Sequence, residues 1–164
     1  VLEADVGIEE HAGLYLTFQL GNEVFGLPIL RVQEIIALMA VTAVPRTPHF
    51  VRGVINLRGK VIPVIELRKK FGMPTTEDTH HTCIIVVEVY CTGDPVTMGL
   101  IVDEVAEVVD ITGAQIEPAP TFGVSVSTDF ILGMGKVRES VVMLLDVDKV
   151  LANGEAAELA AMEA

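Results

Sequence analysis

Between Leu14 and Leu20 apolar side chains fall on every second residue: Leu14, Leu16, Phe18 and Leu20 alternate with Tyr15, Thr17 and Gln19. A period of two predicts a β-strand with one buried face. Gly21-Asn22-Glu23 turns the chain, and Val24 to Leu27 returns as a second strand. Pro28 suits the first position of a helix, and Ile29, Val32 and Ile35/Ile36 then share one helical face while Gln33 and Glu34 share another. A short amphipathic helix is therefore expected there. Pro45 and Pro48 mark residues 40–49 as a loop. The stretch Gly53 to Gly72 follows, G-V-I-N-L-R-G-K-V-I-P-V-I-E-L-R-K-K-F-G. It reads as a strand through Leu57, a tight turn at Arg58-Gly59-Lys60, and a second strand from Val61. Pro63 cannot donate to a ladder, so this second strand is expected at a sheet edge or bulged. Glu66 to Phe71 is a short helical exit stopped by Gly72.

The pattern then recurs. A shift of 80 residues brings Phe50-Val51-Arg52-Gly53 onto Phe130-Ile131-Leu132-Gly133, Leu57-Arg58 onto Val137-Arg138, and Val61 to Leu67 onto Val141 to Val147. A shift of 73 brings Phe25-Gly26-Leu27 onto Met98-Gly99-Leu100, and Val32-Gln33-Glu34-Ile35-Ile36 onto Val105-Ala106-Glu107-Val108-Val109. Two copies of roughly 60 residues are too few for a solenoid. The polar residues 73–81 separate them. In the second copy Thr82 to Val89 is a β-branched run expected to be buried on both faces, Val96 to Val102 is its partner strand, and Asp103 to Val109 fits either helix or strand. Asp148 to Asn153 closes the copy as a helical turn. The expected division is a flexible acidic tail at 1–13, one domain over 14–153 with subdomain repeats at about 14–72 and 82–153, and a C-terminal tail at 154–164. Five short strands per copy predict a mainly β protein of two small barrels with a few short helices, and exchange of strands between the copies is left open.

A chain of 164 residues with 51% apolar content buries about 70% of its unfolded surface and needs no staple. No run approaches the roughly 18 apolar residues of a membrane span. Glu3, Asp5, Glu9 and Glu10 stand where a secretory leader has a basic and then an apolar segment. Two cysteines, Cys83 and Cys91, make no disulfide framework and fit a reducing compartment. The net charge of −12 is uneven: residues 31–70 carry eight basic side chains against only Glu34 and Glu66. Such an asymmetry favours oriented docking on an acidic partner surface.

The search for catalytic chemistry finds little. None of Ser125, Ser127 and Ser140 lies in a G-x-S-x-G elbow, Gly133-Met134-Gly135 lacks the third glycine of a dinucleotide loop, and no phosphate-binding G-x-x-x-x-G-K-[ST] occurs. His80-His81-Thr82-Cys83 has no fourth partner at ligand spacing, and Asp103, Glu104 and Glu107 face no acid, base or nucleophile. No metal or cofactor is therefore expected. A small barrel with a basic stripe could instead hold a nucleic acid or a small ligand, but the acidic balance, the absence of tryptophan and the scarcity of aromatics near the basic stretch weigh against nucleic acid. Glu34 on the predicted helix and Arg58 beside the hairpin turn are the polar pair of interest, because their meeting would make a charge-assisted bridge.

Three segments in this order and spacing carry a family resemblance: F-G-L-P-I-L-R-V-Q-E-I from Phe25, the Gly53–Gly72 stretch, and G-L-I-V-D-E-V-A-E-V from Gly99. Over residues 14–151 the chain resembles the bacterial chemotaxis coupling proteins, the CheW family. The resemblance implies two five-stranded SH3-like barrels around a shared core and no catalytic activity. It implies a cytoplasmic scaffold, recruited to membrane-associated receptor arrays, that docks the regulatory domain of the histidine kinase CheA and the cytoplasmic tip of methyl-accepting chemoreceptors, with no membrane insertion of its own. By motif, Val32, Glu34, Gly53, Arg58 and Val108 match positions where the family is sensitive to change. Receptor contact is assigned to Val32, Glu34, Ile35, Arg58, Val105 and Val108, and kinase contact to the hairpin at Gly53, Val54, Leu57 and Gly59. Arg46, His49 and Arg52 add positive charge before the hairpin beyond the family pattern.

Overall fold

The computed structural model describes residues 11–90, 95–118 and 130–150. Residues 1–10 of the expected N-terminal tail, the expected C-terminal tail, Cys91 and most of the extra segment of the second copy lie outside them, and Gly13, the last residue of the expected N-terminal tail, opens the first strand. The strands are β1 (Gly13–Leu20), β2 (Glu23–Pro28), β3 (Val32–Ala37), β4 (Val51–Leu57), β5 (Lys60–Glu66), β6 (Cys83–Tyr90), β7 (Pro95–Val102), β8 (Glu104–Ile111), β9 (Ile116–Glu117), β10 (Ile131–Val137) and β11 (Ser140–Leu145). One short helix, α1 (Leu67–Lys70), follows β5, and Phe71 and Gly72 cap it as expected, with Gly72 at φ +70°.

The strands form two sheets, ordered β8-β1-β2-β11-β10-β9 and β3-β6-β7-β5-β4. Each sheet draws on both copies. The hairpin β4–β5 of the first copy lies beside β6–β7 of the second, and the hairpin β10–β11 of the second lies beside β1–β2 of the first. The two junctions are the parallel pairings. Val64 on β5 faces Gly99 on β7, and Leu144 on β11 faces Gly26 on β2. Those are repeat-equivalent contacts, since Val64 and Leu144 are 80 residues apart and Gly26 and Gly99 are 73 apart. The copies have traded strands reciprocally.

Three apolar clusters follow from this arrangement. The largest lies between the sheets and takes Leu16, Phe18, Leu20 and Phe25 from one and Ile65, Ile85, Val87 and Leu100 from the other. A stacked column of rings runs through it, Phe18–Phe25–Phe71–Phe130, with centroid spacings of 5.8, 5.5 and 4.8 Å. Each sheet also encloses a cluster of its own: Ile55, Ile62, Val64, Ile84 and Val86 in one, Tyr15, Ile111, Ile116, Val142 and Leu144 in the other.

Strands between two clusters are apolar on both faces. For β6 this was expected, and Ile84, Ile85, Val86 and Val87 are all buried. For β1 it was not. The alternation predicts that Tyr15 and Thr17 face water, yet both are buried, while Leu14 is 51% exposed. Thr17 lies at a bulge in the β1–β8 pairing, where its Oγ1 donates to the Glu107 carbonyl at 2.7 Å and accepts the Glu107 N–H at 3.1 Å. The hydroxyl thereby satisfies both backbone groups that the bulge takes out of the ladder.

Two other expectations are corrected. The helix drawn from Pro28 through Ile36 shrinks to one 3-10 turn, Ile29–Arg31, and Val32–Ala37 is a strand paired with β6. Its β-branched residues are better suited to a strand, and the half-buried residues Val32, Glu34 and Ile36 are spaced by two. Asp103 to Val109 resolves the same way, into β8. Pro63 sits not on an edge strand but on β5, between β4 and β7. It pairs with Val54 on one side, and the ladder to β7 begins only at Val64, so no β7 bond requires its missing N–H.

Candidate functional site

The edge strands of the second sheet, β3 and β4, meet through the segment that joins them. Thr42 and Val54 exchange two backbone hydrogen bonds of 2.9 Å each, which closes that sheet on itself. The repeat performs the same closure in the other sheet, where Glu117 on β9 pairs with Met134 on β10. Met134 is the equivalent of Val54.

Gly53 is what permits the first closure. It is buried, at φ +152°, and a Cβ built there would lie 2.0 Å from the Thr42 carbonyl oxygen. Five residues on, Arg58 takes φ +53° at the hairpin tip, where Asn56 Oδ1 accepts the Gly59 N–H at 2.9 Å. From that tip Arg58 Nη2 reaches Glu34 Oε1 at 2.7 Å. The pair therefore forms, but Glu34 stands on a strand instead of a helix, and the bridge staples β3 to the β4–β5 hairpin across the seam. Arg58 is 71% exposed and Glu34 27%.

The sequence repeat also contains a second copy of this bridge. Arg138, 80 residues beyond Arg58, takes φ +58° at the tip of β10–β11 and lies 3.6 Å from Glu107, 73 residues beyond Glu34. The offsets were visible in the sequence; the pairing was not read from them. It is the looser of the two, with Arg138 79% exposed.

Four of the remaining candidates are related in the same way. Val32 and Ile35 on β3 are the repeat equivalents of Val105 and Val108 on β8. Val32 and Val105 are half-buried against the shared core from different sheets. Ile35 and Val108 are 45% and 49% exposed. At the hairpin, Val54 and Leu57 are half-buried and Gly59 is exposed. The structure thus brings Glu34, Arg58 and Gly59 to one seam, places Gly53 beneath it, and sets Val105 and Val108 on the other sheet.

The basic stretch does not stand free. Arg52 bonds Glu66 at 2.9 Å and Asp78 at 2.8 Å, Lys69 lies 3.1 Å from Glu66, Arg68 pairs with Asp103 and Arg31 with Asp148. Bonding to Asp78 and Glu66 outweighs burial and pushes the Arg52 guanidinium further up its already high range. The Glu66 carboxyl is held low because Arg52 and Lys69 together overcome its burial. Acids distant in sequence cancel much of the asymmetry read from residues 31–70.

Residues 14–155 match the model of the CheW-like domain family. This chain belongs to the CheW family. The chain is 41% identical to the chemotaxis protein CheW of Klebsiella aerogenes over 143 residues, covering 87% of this chain and 84% of that protein. It is 34% identical to CheW of Helicobacter pylori, over 84% of this chain and 80% of its relative. In structure it is similar to the scaffolding protein TtCheW of Thermoanaerobacter tengcongensis, with a TM-score of 0.77 at 35% identity, covering 88% of this chain and 97% of that one. The CheW fold is thus realised here as two sheets built by reciprocal exchange, and a role as a chemotaxis scaffold follows from membership. Among the described residues, no helix is long and apolar enough to cross a membrane.

Proposed function

We propose that this CheW-family chain is a non-catalytic cytoplasmic coupler that joins the cytoplasmic tip of a methyl-accepting chemoreceptor to the regulatory domain of the histidine kinase CheA. The observation that carries the reading is a matched pair of uncovered apolar residues, Ile35 on β3 and Val108 on β8, at equivalent points of the two copies; Val61 and Val141 at the hairpins are a second such pair. Single exposed apolar residues are ordinary. Two at equivalent positions, each three residues beyond a valine packed on the shared core, describe a surface for a partner with an apolar face. Val32, Glu34, Ile35, Arg58, Val105 and Val108 serve the receptor. The kinase meets the β4–β5 hairpin at Val54, Leu57 and Gly59, with Gly53 holding that hairpin in place. The scaffold then works by bringing two proteins to one small body, which needs no reactive group.

The test is reconstitution. CheA autophosphorylation is followed in receptor-containing membranes from one source, with and without this protein. The coupling reading expects activity to rise on addition and to fall on attractant. A protein that binds neither kinase nor receptor in that assay would sink it.

A further inference from the structure

In the first copy the polar residues 73–81 do more than join the repeats. Residues 75–78 wall a hollow at the ends of β5 and β7, over a floor of Arg52, Glu66, Arg68, Ile101 and Asp103. Polar hooks hold that wall. Arg68 Nη1 donates to the Pro74 carbonyl at 2.7 Å, and the Arg68 carbonyl accepts the Met73 N–H at 2.8 Å. Arg68 Nε is itself clamped 2.8 Å from Asp103 Oδ1, and Arg52 bonds Asp78 at 2.8 Å. About 20 Å³ of space remains, room for about one water molecule.

The second copy has the same hollow with different chemistry. The shift of 80 turns Arg52, Glu66 and Arg68 into Leu132, Asp146 and Asp148, and the shift of 73 turns Ile101 and Asp103 into Pro28 and Leu30. Pro28, Leu132, Asp146 and Asp148 line a cavity of about 210 Å³. Pro28 and Leu132 also border an apolar one of about 390 Å³, with Leu14, Ile29 and Leu30. The hooks are gone. Leucines replace Arg52 and Asp103, and Asp148 is taken by Arg31, one residue beyond Leu30, at 2.7 and 2.6 Å. Leu30 is 94% exposed, more than any other large apolar side chain among the described residues. An apolar surface of this kind calls for a cover.

The repeat names a candidate for that cover. The described chain stops at Val150, which is buried and is the equivalent of Lys70. The residues equivalent to 71–79 are 151–159, L-A-N-G-E-A-A-E-L. Their composition changes in step with the floor. Thr76, Glu77 and Thr79 give way to Ala156, Ala157 and Leu159. Glu158 stands at the register of Asp78 but faces Leu132 where Asp78 meets Arg52, so the apolar contact falls to Leu159 beside it. The span needs no extra length, because the same number of residues makes it in the first copy. We propose that residues 151–159 cover the hollow of the second copy as residues 71–79 cover that of the first, with Leu159 seated on Leu30 and Leu132 in place of the Asp78–Arg52 ion pair. This cover withdraws Leu30 from the surface offered to partners and leaves Ile35 and Val108 uncovered.

The test uses the full chain with labelled leucine methyl groups, studied by nuclear magnetic resonance at two widely separated protein concentrations. Overhauser contacts are expected from Leu159 to Leu30 or Leu132, equal at both concentrations. Leu159→Ser should abolish them and raise the relaxation of the Leu30 methyl groups by a soluble paramagnetic chelate severalfold. The methyl groups of Leu20, which is fully buried, serve as the control and should not respond. Leu30→Ser, made separately, should shift the Leu159 resonances from the other side of the same contact. The proposal is overturned if Leu159 touches neither leucine, or if Leu159→Ser leaves the exposure of Leu30 unchanged. Contacts to Leu30 that come from residues 1–10 overturn it as well. Contacts that strengthen with concentration would give the hollow to a second copy of the chain. Protection of Leu30 seen only on adding receptor or kinase would give it to that partner. Either result also overturns the proposal.

Discussion

Replacing Gly53 by alanine tests whether this position acts through the fold or through a partner. The new Cβ would stand 2.0 Å from the Thr42 oxygen, 2.7 Å from its carbonyl carbon and 3.0 Å from Val41 Cγ1. The two nearest obstacles are backbone, so no rotamer change relieves them. To reach ordinary contact the Thr42 carbonyl must retreat by roughly 1 Å or more, and the two 2.9 Å bonds between Thr42 and Val54 then leave hydrogen-bonding range. Two lost backbone bonds at about 1 kcal/mol each, plus about 1 kcal/mol for a side chain at φ +152°, give a cost of about 3 kcal/mol. For a chain of this size that lowers the melting temperature by roughly 6–12 °C. Urea denaturation followed by circular dichroism measures it as a lower midpoint at unchanged slope. Gly133→Ala supplies the internal comparison. Its Cβ would meet Ile116 Cγ2 at 2.9 Å and the Glu117 oxygen at 3.0 Å, a milder collision that should cost visibly less. If Gly53→Ala shifts the midpoint no more than Gly133→Ala, the closure argument is wrong. If in addition kinase binding falls while the fold is intact, Gly53 belongs to the interface itself.

Thr17→Val keeps the shape but leaves the Glu107 N–H and carbonyl at the β1–β8 bulge without their hydroxyl partner, and should cost about 1–3 kcal/mol in the same urea experiment. The Asp103 carboxyl is held low chiefly by its bond to Arg68, and Asp148 is held low by Arg31 and the Tyr90 N–H against the opposing effect of burial. Folded values depressed below the unfolded ones give stability that is present above about pH 4 and is lost as the pH falls further, so D103N/D148N should flatten the acid limb of a stability–pH curve. An unchanged acid limb would remove these carboxylates from the account. Burial pushes the Tyr15 hydroxyl up to about 12, and an ultraviolet titration of the folded protein should show it ionising about two units later than in denaturant. Stability should accordingly fall as the pH rises above about 10, where only the unfolded chain releases that proton. Arg58→Ala should change the unfolding free energy from urea denaturation by less than about 1 kcal/mol, since exposed ion pairs contribute little, while weakening binding to receptor or kinase; unchanged affinity for both would end its proposed role.

How much of this was legible depended on whether the signal was local or pairwise. The hairpin at 53–72, the β6 run and the duplication were plain, because each is written in consecutive residues or in fixed offsets. Segment 28–36 misled because Ile29, Val32, Ile35 and Ile36 satisfy a helical period as well as they populate a strand, and only the presence of β6 alongside decides. Tyr15 and Thr17 misled because alternation reports one buried face, whereas β1 lies between two clusters created by the exchange of strands. The Arg31–Asp148 and Arg68–Asp103 clamps escaped notice for a different reason: their charges are reversed between copies, so a search for matching residues passes over them. The Glu107–Arg138 bridge is legible from the two offsets taken together, because residues that pair in one copy have their equivalents paired in the other.

The duplicated architecture separates what holds this molecule together from what it offers to others. Closure of each sheet, the Thr17 hydroxyl and the inter-sheet clamps are buried or partly buried and act on backbone groups, where an unsatisfied donor or acceptor is costly. The Glu34–Arg58 bridge, Ile35 and Val108 are exposed, and their removal leaves the core clusters untouched. Exposed ion pairs and uncovered apolar side chains add little to folding, so the recognition role proposed for these residues can be tested by substitution without loss of the fold. Equivalent does not mean identical. The Glu34–Arg58 pair is closed at 2.7 Å, and its counterpart Glu107–Arg138 is spaced at 3.6 Å with both side chains in water. The two copies thus present faces that are related in position and distinct in chemistry.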